Sequence, residues 1–136
     1  MKKKTLTFAT WNIQGLNSKL DEEDFKQEIS KFDCIVLTET WLTEPLDIAG
    51  WYTYCKTRST GKYERNRHGG ITLLLKPEVR KGVTIIENQH PFLIGCKFNK
   101  NYFKTANDIY LFGIYIPPHN SSFWQPWNDE DPFSMI

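Results

Sequence analysis

The strongest constraint on this chain is the unbroken apolar run at residues 34–37, Cys-Ile-Val-Leu, which ends two residues before Glu39. A run without polar residues leaves no face for water, so it predicts a strand that is buried on both faces. Glu39 then follows the carboxyl end of that strand, the edge at which open α/β sheets place their ligand sites. A carboxylate in this position is suited to hold a hard cation, although the first solvated residue after a core strand also has this pattern.

The segments around this run predict an α/β fold. Residues 6–11 alternate as a strand. Residues 21–31 are mainly polar, and Phe25 and Ile29 within them and Phe32 directly after them have helical spacing. A strand, a helix and a second strand in succession imply parallel pairing of the two strands. Further strands without intervening helices are predicted at 51–57, 69–75, 83–86, 92–98 and 109–116, which favours antiparallel neighbours. The fold class is therefore α/β, with a mixed β-sheet and a flanking helix.

Composition limits the class of protein. The chain has 136 residues, 40% of them hydrophobic and 24% charged, as expected for one globular domain. Its net charge of +1 gives no global attraction to nucleic acid or to an anionic membrane. Three cysteines without a CxxC pair, no secretory apolar region and no span-length apolar run predict reduced thiols in an intracellular protein, nuclear or cytoplasmic, with no membrane partner.

Asn12, Glu39 and Tyr115 stand at the ends of predicted hydrophobic strands. Phosphodiester hydrolysis needs a cation, a polar group that orients phosphate or water, and a donor to the developing oxyanion. Glu39 can bind Mg²⁺, Asn12 can orient the phosphate or the water, and Tyr115 can donate a hydrogen bond to the developing oxyanion. Each has an ordinary alternative, since Asn forms turns and a buried Tyr is usually a core residue.

Four motifs occur in a familiar order: Trp-Asn-Ile-Gln-Gly-Leu-Asn-Ser at 11–18, Thr-Glu-Thr-Trp-Leu-Thr at 38–43, His-Gly-Gly-Ile at 68–71 and Tyr-Ile-Pro-Pro at 115–118. The chain resembles the exonuclease–endonuclease–phosphatase superfamily. Its motifs are most similar to those of the apurinic-type endonuclease domain of non-LTR retrotransposons. Repair-type members often carry an acid at the position of Gln14, so this residue favours the retrotransposon type over the repair type.

The resemblance implies a role for each candidate residue. Asn12 belongs to the active-site cluster, Glu39 is the metal-binding residue for Mg²⁺ or alternatively Mn²⁺, and Tyr115 contacts the scissile phosphate. The implied activity is metal-dependent nicking of DNA for retrotransposition. The implied parent protein also carries a reverse transcriptase domain.

The family's later motifs, Gly-Asp-Phe-Asn and Ser-Asp-His, do not occur in this sequence. We therefore interpret residues 1–136 as the N-terminal portion of the domain, truncated at its C-terminus and partnered by the missing C-terminal half. This portion would be the first half of a four-layer α/β/β/α sandwich, with one apolar sheet face left uncovered and no activity of its own. A helix is predicted to begin near residue 129.

A local basic stretch supplies weaker candidates for DNA binding, namely Arg58, Lys62, Arg65 and Arg67, together with Lys56. These basic side chains can contact DNA phosphates or form a solvated hairpin tip. Two other functions stay open. One is a phosphoester hydrolase of the same fold acting on lipid or inositol phosphates, and the other is a non-catalytic truncated product.

Overall fold

The computed structural model describes residues 5–57 and 69–116, whose seven strands form two sheets. The first sheet has the order β1-β2-β4-β3, and the second has the order β5-β6-β7. The strands are β1 Phe8–Asn12, β2 Cys34–Thr38, β3 Tyr52–Lys56, β4 Ile71–Leu75, β5 Val83–Ile86, β6 Leu93–Phe98 and β7 Ile109–Ile114. The helices are α1 Glu23–Ser30, α2 Pro77–Arg80 and α3 Lys100–Phe103, with a 3-10 turn at Asn17–Lys19.

Strand β2 is buried along its whole length and lies inside the first sheet. It pairs in parallel with β1, as the intervening helix predicts, and antiparallel with β4. Its alternate side chains serve two cores: Cys34 and Val36 join one apolar cluster, and Ile35 and Leu37 join the other. The apolar run is therefore explained by the lack of a solvent-facing side.

The two sheets pack face to face, which corrects one expectation. Val36 and Leu73 of the first sheet share an apolar cluster with Ile94 and Phe98 of the second. The prediction of an uncovered inner face is therefore wrong for β2 and β4, because strands 83–114 form a separate antiparallel sheet that covers them. The sequence pattern could not separate one large sheet from two stacked ones, since both give the same alternation along each strand.

Helix α1 covers the outer face of the first sheet. Phe25 and Ile29 are buried against a cluster that includes Ile35, Leu37 and Leu74. The spacing of four between Phe25 and Ile29 places both on one face of the helix. The described chain therefore stacks a helix, a mixed sheet and an antiparallel sheet, so the predicted α/β class is confirmed.

The amino ends of β1 and β2 are tied by a buried carboxylate. Asp33 is 2% exposed, and its Oδ2 accepts hydrogen bonds from the Thr7 backbone N–H at 2.9 Å and the Thr7 hydroxyl at 3.1 Å. The Lys76 ammonium lies 3.9 Å from Asp33 Oδ1. A buried charge is tolerated only with such partners, so this contact fixes the start of the parallel pair.

The two short helices α2 and α3 were not predicted. Helix α2 begins at Pro77, and α3 begins after Asn99, whose side chain accepts hydrogen bonds from the Asn101 and Tyr102 N–H groups. Four residues are too few to show a 3.6-residue period, although proline and asparagine are the usual start signals. The helix predicted near residue 129 lies outside the described residues.

The three cysteines are free thiols. Burial raises the pKa of Cys96 to about 11. Burial also raises the pKa of Cys34, to which the neighbouring Cys96 and Asp33 add. Because the thiolate is suppressed, these two residues act as apolar packing groups. Within residues 5–57 and 69–116, no helix is long and apolar enough to cross a membrane.

The large apolar side chains that remain exposed in the described residues lie on two strands. They are Phe8 and Trp11 on β1, and Ile109, Tyr110, Phe112 and Ile114 on β7. Both strands have a single described neighbour in their sheets. A groove of about 470 Å³ runs between them, lined by both strands and by Cys34 and Val36. The space between β1 and β7 is therefore an open groove with mainly apolar walls.

We predict that Ile94→Ala lowers the free energy of unfolding by about 2–5 kcal/mol, because it leaves a cavity between the sheets. Ile94 is 1% exposed, whereas Ile109 in the same sheet is 47% exposed. The matched control Ile109→Ala removes the same atoms and should cost less than about 1 kcal/mol. Urea unfolding followed by circular dichroism measures both. Equal losses in the two variants would contradict the described packing.

Candidate active site

The carboxyl ends of β1 and β2 lie side by side. Asn12 is the register partner of Thr38, so Asn12 and Glu39 leave the sheet at the same edge. Hydrogen bonds then join the two loops that follow: the Ile13 N–H donates to Thr38 O at 2.9 Å, and the Gly15 N–H donates to Glu39 O at 2.8 Å. The parallel pairing therefore continues past the strands and holds both loops.

A third segment fixes the loop after β2 from its other side. The Thr40 N–H donates to Gly70 O at 3.3 Å, and the Trp41 N–H donates to Gly69 O at 3.0 Å. A Cβ on Gly70, whose φ is +89°, would overlap the Thr40 hydroxyl and lie 3.2 Å from the Trp41 nitrogen. Only glycine permits this approach, which explains the Gly-Gly motif as a structural feature.

The loops at this edge adopt an unusual backbone. Among the described residues, four that are not glycine have positive φ, and Gln14 (51°), Glu39 (55°) and Trp41 (60°) are three of them. Such a conformation costs roughly 1–2 kcal/mol for each residue. It persists here because the hydrogen bonds between loops leave few alternatives. Strain of this kind concentrates at functional sites.

The Glu39 carboxylate receives a separate donor on each oxygen. The Tyr115 hydroxyl donates to Oε1, and the Trp41 indole N–H donates to Oε2 at 2.7 Å. Tyr115 is itself held by its backbone N–H, which donates to Phe92 O at 2.9 Å. Tyr115 follows β7 of the second sheet and Trp41 follows β2 of the first, so the carboxylate is oriented from both sheets.

Burial raises the pKa of the Glu39 carboxyl above its ordinary value of 4.5. Hydrogen bonds from the Trp41 side chain and the Gly69 backbone act in the opposite direction, because they favour the ionised form. Desolvation is the larger effect. A cation at this position would therefore be attracted by a carboxylate that water screens poorly.

The residues at this edge fit a hard divalent cation. A carboxylate offers about four lone-pair sites, and the donors from Tyr115, Trp41 and Gly69 do not fill all of them. Mg²⁺ is usually held by one or two carboxylates, with waters and substrate phosphates as its other ligands. Within the described ranges, no cluster of three or more His, Cys, Asp or Glu residues is placed to hold a metal ion.

The structure brings the three predicted site residues to one edge. Glu39 and Tyr115 are in contact, and exposed Asn12 ends the strand beside β2. Their roles in catalysis and metal binding stay predictions. The weaker candidates for DNA binding, Arg58, Lys62, Arg65 and Arg67, lie outside the described residues.

Lys56, which the sequence analysis groups with that basic stretch, makes hydrogen bonds within the protein. Its ammonium donates to Asn88 Oδ1 at 2.6 Å, to Asn88 O at 3.1 Å and to His90 O at 2.7 Å. Burial lowers the pKa of this group. Lys56 therefore ties the end of β3 to the loop between β5 and β6.

Trp41 is the site residue that the sequence analysis does not predict, because its hydrogen bond to Glu39 is visible only in the structure. In the sequence analysis it belongs to the motif at 38–43 and has no assigned role. A signal was present, because tryptophan has one N–H donor and usually satisfies it when the ring is buried. A tryptophan two residues after a carboxylate was therefore a candidate partner for it.

We predict that Gly70→Ala destabilises the chain more than the matched control Gly50→Ala. Both glycines have positive φ, of +89° and +86°, so each alanine has a backbone cost of about 1 kcal/mol. A Cβ on Gly50 meets nothing within 4 Å, whereas one on Gly70 overlaps Thr40. The overlap should add about 1–3 kcal/mol. Chemical unfolding of both variants measures the difference, and equal stability would contradict the close approach.

We predict that Glu39 titrates above 4.5 in the folded chain without metal. Because the folded state then holds this proton more tightly than the unfolded state, the resulting stabilisation is complete below pH 4.5 and is lost as the pH rises through the folded pKa. Tyr115→Phe removes a donor to the ionised form and should raise that pKa further. Carboxyl ¹³C NMR measures both midpoints, and a wild-type value at or below 4.5 would contradict the prediction.

No family model matches this sequence, and the comparison with curated proteins finds no match either. Among the solved structures that are similar in fold are two AP endonucleases. The AP endonuclease LMAP from Leishmania major matches with a TM-score of 0.61 and 15% identity, over 89% of this chain and 43% of that one. An AP endonuclease from Archaeoglobus fulgidus matches with a TM-score of 0.54 and 18% identity, over 90% of this chain and 46% of that one.

This chain thus spans less than half the length of each of these structures. The TM-scores establish a shared fold over the matched part, and the activity has to be argued from the site. The mixed α/β architecture derived from the sequence agrees with that fold. The chain therefore has the fold of slightly less than half of these AP endonucleases.

Proposed function

We propose that this chain supplies the cation-binding edge of a metal-dependent DNA endonuclease, of the apurinic type found in non-LTR retrotransposons. The observation that carries the proposal is the Glu39 carboxylate, held by Tyr115 and Trp41 at a strand end beside Asn12. The shared fold supports a phosphodiesterase. The four sequence motifs and Gln14 support the retrotransposon type. The proposed setting is intracellular, nuclear or cytoplasmic.

Each residue has a part in this proposal. Glu39 would hold Mg²⁺, or alternatively Mn²⁺. The bound ion supplies charge neutralisation at the phosphate and increases the acidity of bound water. The exposed Asn12 amide is free to orient a phosphate oxygen through neutral hydrogen bonds. The Tyr115 hydroxyl keeps the carboxylate in place and lies within reach of the same phosphate.

The missing C-terminal half is the proposed partner of this chain. We infer that residues 1–136 are the N-terminal portion of one domain, because the chain spans 43% and 46% of the two AP endonucleases. The groove between β1 and β7 supports this inference, since the exposed side chains of Phe8, Phe112 and Ile114 line it. Two strands that each have a single neighbour among the described residues are suited to pair with further strands. The parent protein would also carry a reverse transcriptase domain.

The 136-residue chain is proposed to be inactive by itself. One carboxylate with waters is a sparse Mg²⁺ site, so the cation should bind weakly. The groups that activate the attacking water would come from the other half. DNA contacts would come in part from the basic residues 58–67, whose positive charges suit phosphates.

We predict that the chain extended along its reading frame nicks supercoiled plasmid with Mg²⁺, and that Glu39→Ala lowers the rate at least about 100-fold. The ion contributes several kcal/mol to the transition state, and each 1.4 kcal/mol is about tenfold in rate. The exposed Glu44 is the matched control, so Glu44→Ala should keep the wild-type rate. Gel separation of supercoiled and nicked plasmid measures the rates, with EDTA to remove the metal.

Three outcomes would overturn parts of the proposal. Retention of most activity in Glu39→Ala would remove this residue from the metal role. Faster hydrolysis of inositol or lipid phosphates than of DNA would assign the fold to the alternative phosphoester substrates. A reading frame that stops at Ile136, or continues without Gly-Asp-Phe-Asn, would favour a non-catalytic product.

A further inference from the structure

We propose that Trp41 is a positioning residue for the Glu39 carboxylate, which its indole N–H holds in one orientation for cation binding. The proposal rests on the metal role of Glu39 given above and adds a residue to that site. It starts from one contact, the 2.7 Å hydrogen bond from Trp41 Nε1 to Glu39 Oε2.

The contact completes a clamp on the carboxylate. Tyr115 donates to Oε1 and Trp41 donates to Oε2, so rotation of the group about its terminal bond would break both hydrogen bonds. That torsion is otherwise broad in glutamate, with no strong preference of its own. Two donors from two different sheets therefore supply the orientation that the side chain lacks.

A neutral donor is suited to this position. An ammonium or guanidinium group at the same distance would also orient the carboxylate, but its positive charge would repel a divalent cation bound there. The indole N–H has no formal charge and cannot accept a hydrogen bond or bind the metal. Trp41 thus holds Oε2 without competing for the cation.

Trp41 itself is fixed from two directions. Its backbone has φ of 60°, and its N–H donates to Gly69 O at 3.0 Å. Its ring lies against the Gly15 backbone, where an added Cβ would lie 2.8 Å from Trp41 Cε3. The loop after β1 therefore contacts the indole, and the segment before β4 holds the Trp41 backbone. A donor with a fixed position can fix its acceptor.

The first measurement tests the contact without metal. Uniform ¹⁵N labelling gives indole signals from five tryptophans, and the signal that disappears in Trp41→Phe identifies Trp41. We expect its indole proton to exchange slowly with water. Glu39→Ala should accelerate that exchange at least about tenfold, because the acceptor is gone. Unchanged exchange in Glu39→Ala would overturn the contact and with it the proposal.

The second measurement tests the consequence for the cation, using Mn²⁺ alone and its paramagnetic broadening of backbone signals. Loss of an outer-shell partner typically weakens metal binding about 10- to 100-fold, which is the loss expected for Trp41→Phe. Trp51 precedes β3 at the opposite end of the sheet, since Tyr52 is paired with Leu75 and Leu75 with Cys34. Trp51→Phe is therefore the matched control and should keep wild-type affinity.

A third variant separates the N–H from the shape of the ring. Incorporation of 3-benzothienylalanine at position 41 replaces the N–H by sulfur and keeps the bicyclic ring against Gly15. It should fold like wild type and lose as much Mn²⁺ affinity as Trp41→Phe. Wild-type affinity in this variant would overturn the proposal, even if Trp41→Phe were unfolded.

The proposed function can fail separately. Equal Mn²⁺ binding by wild type and Glu39→Ala would remove Glu39 from the metal role and overturn both proposals, whatever the exchange data show. Loss of binding in Glu39→Ala, with full affinity in both Trp41 variants, would overturn the role of Trp41 and leave the metal role of Glu39 intact.

Discussion

The structure depends on the burial of β2 on both faces. Its five residues form the middle of the first sheet, and their side chains alternate between the core under α1 and the core between the sheets. Each apolar side chain removed from water contributes roughly 1.5–3 kcal/mol, and a one-residue slip would exchange the two sets of side chains. Register is therefore fixed along β2, and with it the position of Glu39.

The site is an extension of that pairing. After β1 and β2 end, the Gly15 N–H still donates to Glu39 O, and the Trp41 N–H donates to Gly69 O in the segment before β4. These contacts hold backbone conformations that Glu39 and Trp41 would otherwise avoid. The carboxylate is thus presented by rigid strands through strained but well-supported loops, an arrangement that favours a defined ligand geometry.

The second sheet has two functions. Its inner face closes the core through Ile94 and Phe98, and its last strand leads to Tyr115, which reaches across to Glu39. Packing and site assembly are therefore coupled, since a shift between the sheets would move one donor relative to the carboxylate. Exposed Phe8 of β1 and exposed Phe112 and Ile114 of β7 line the groove between these strands, and apolar area of this kind marks an interaction surface.

The sequence by itself determined much of the local structure. The run at 34–37 indicated a doubly buried strand, the helix between strands indicated parallel pairing, and the strand ends indicated Asn12, Glu39 and Tyr115. These features depend on short-range periodicity and chain order, which are readable without coordinates. Only the tertiary structure decided that the later strands form a second sheet. It also decided that the Lys56 ammonium donates hydrogen bonds to Asn88 and His90, and that the Trp41 indole donates to Glu39. Those outcomes depend on which faces and loops meet in space, and alternation along a strand carries no information about the partner across it.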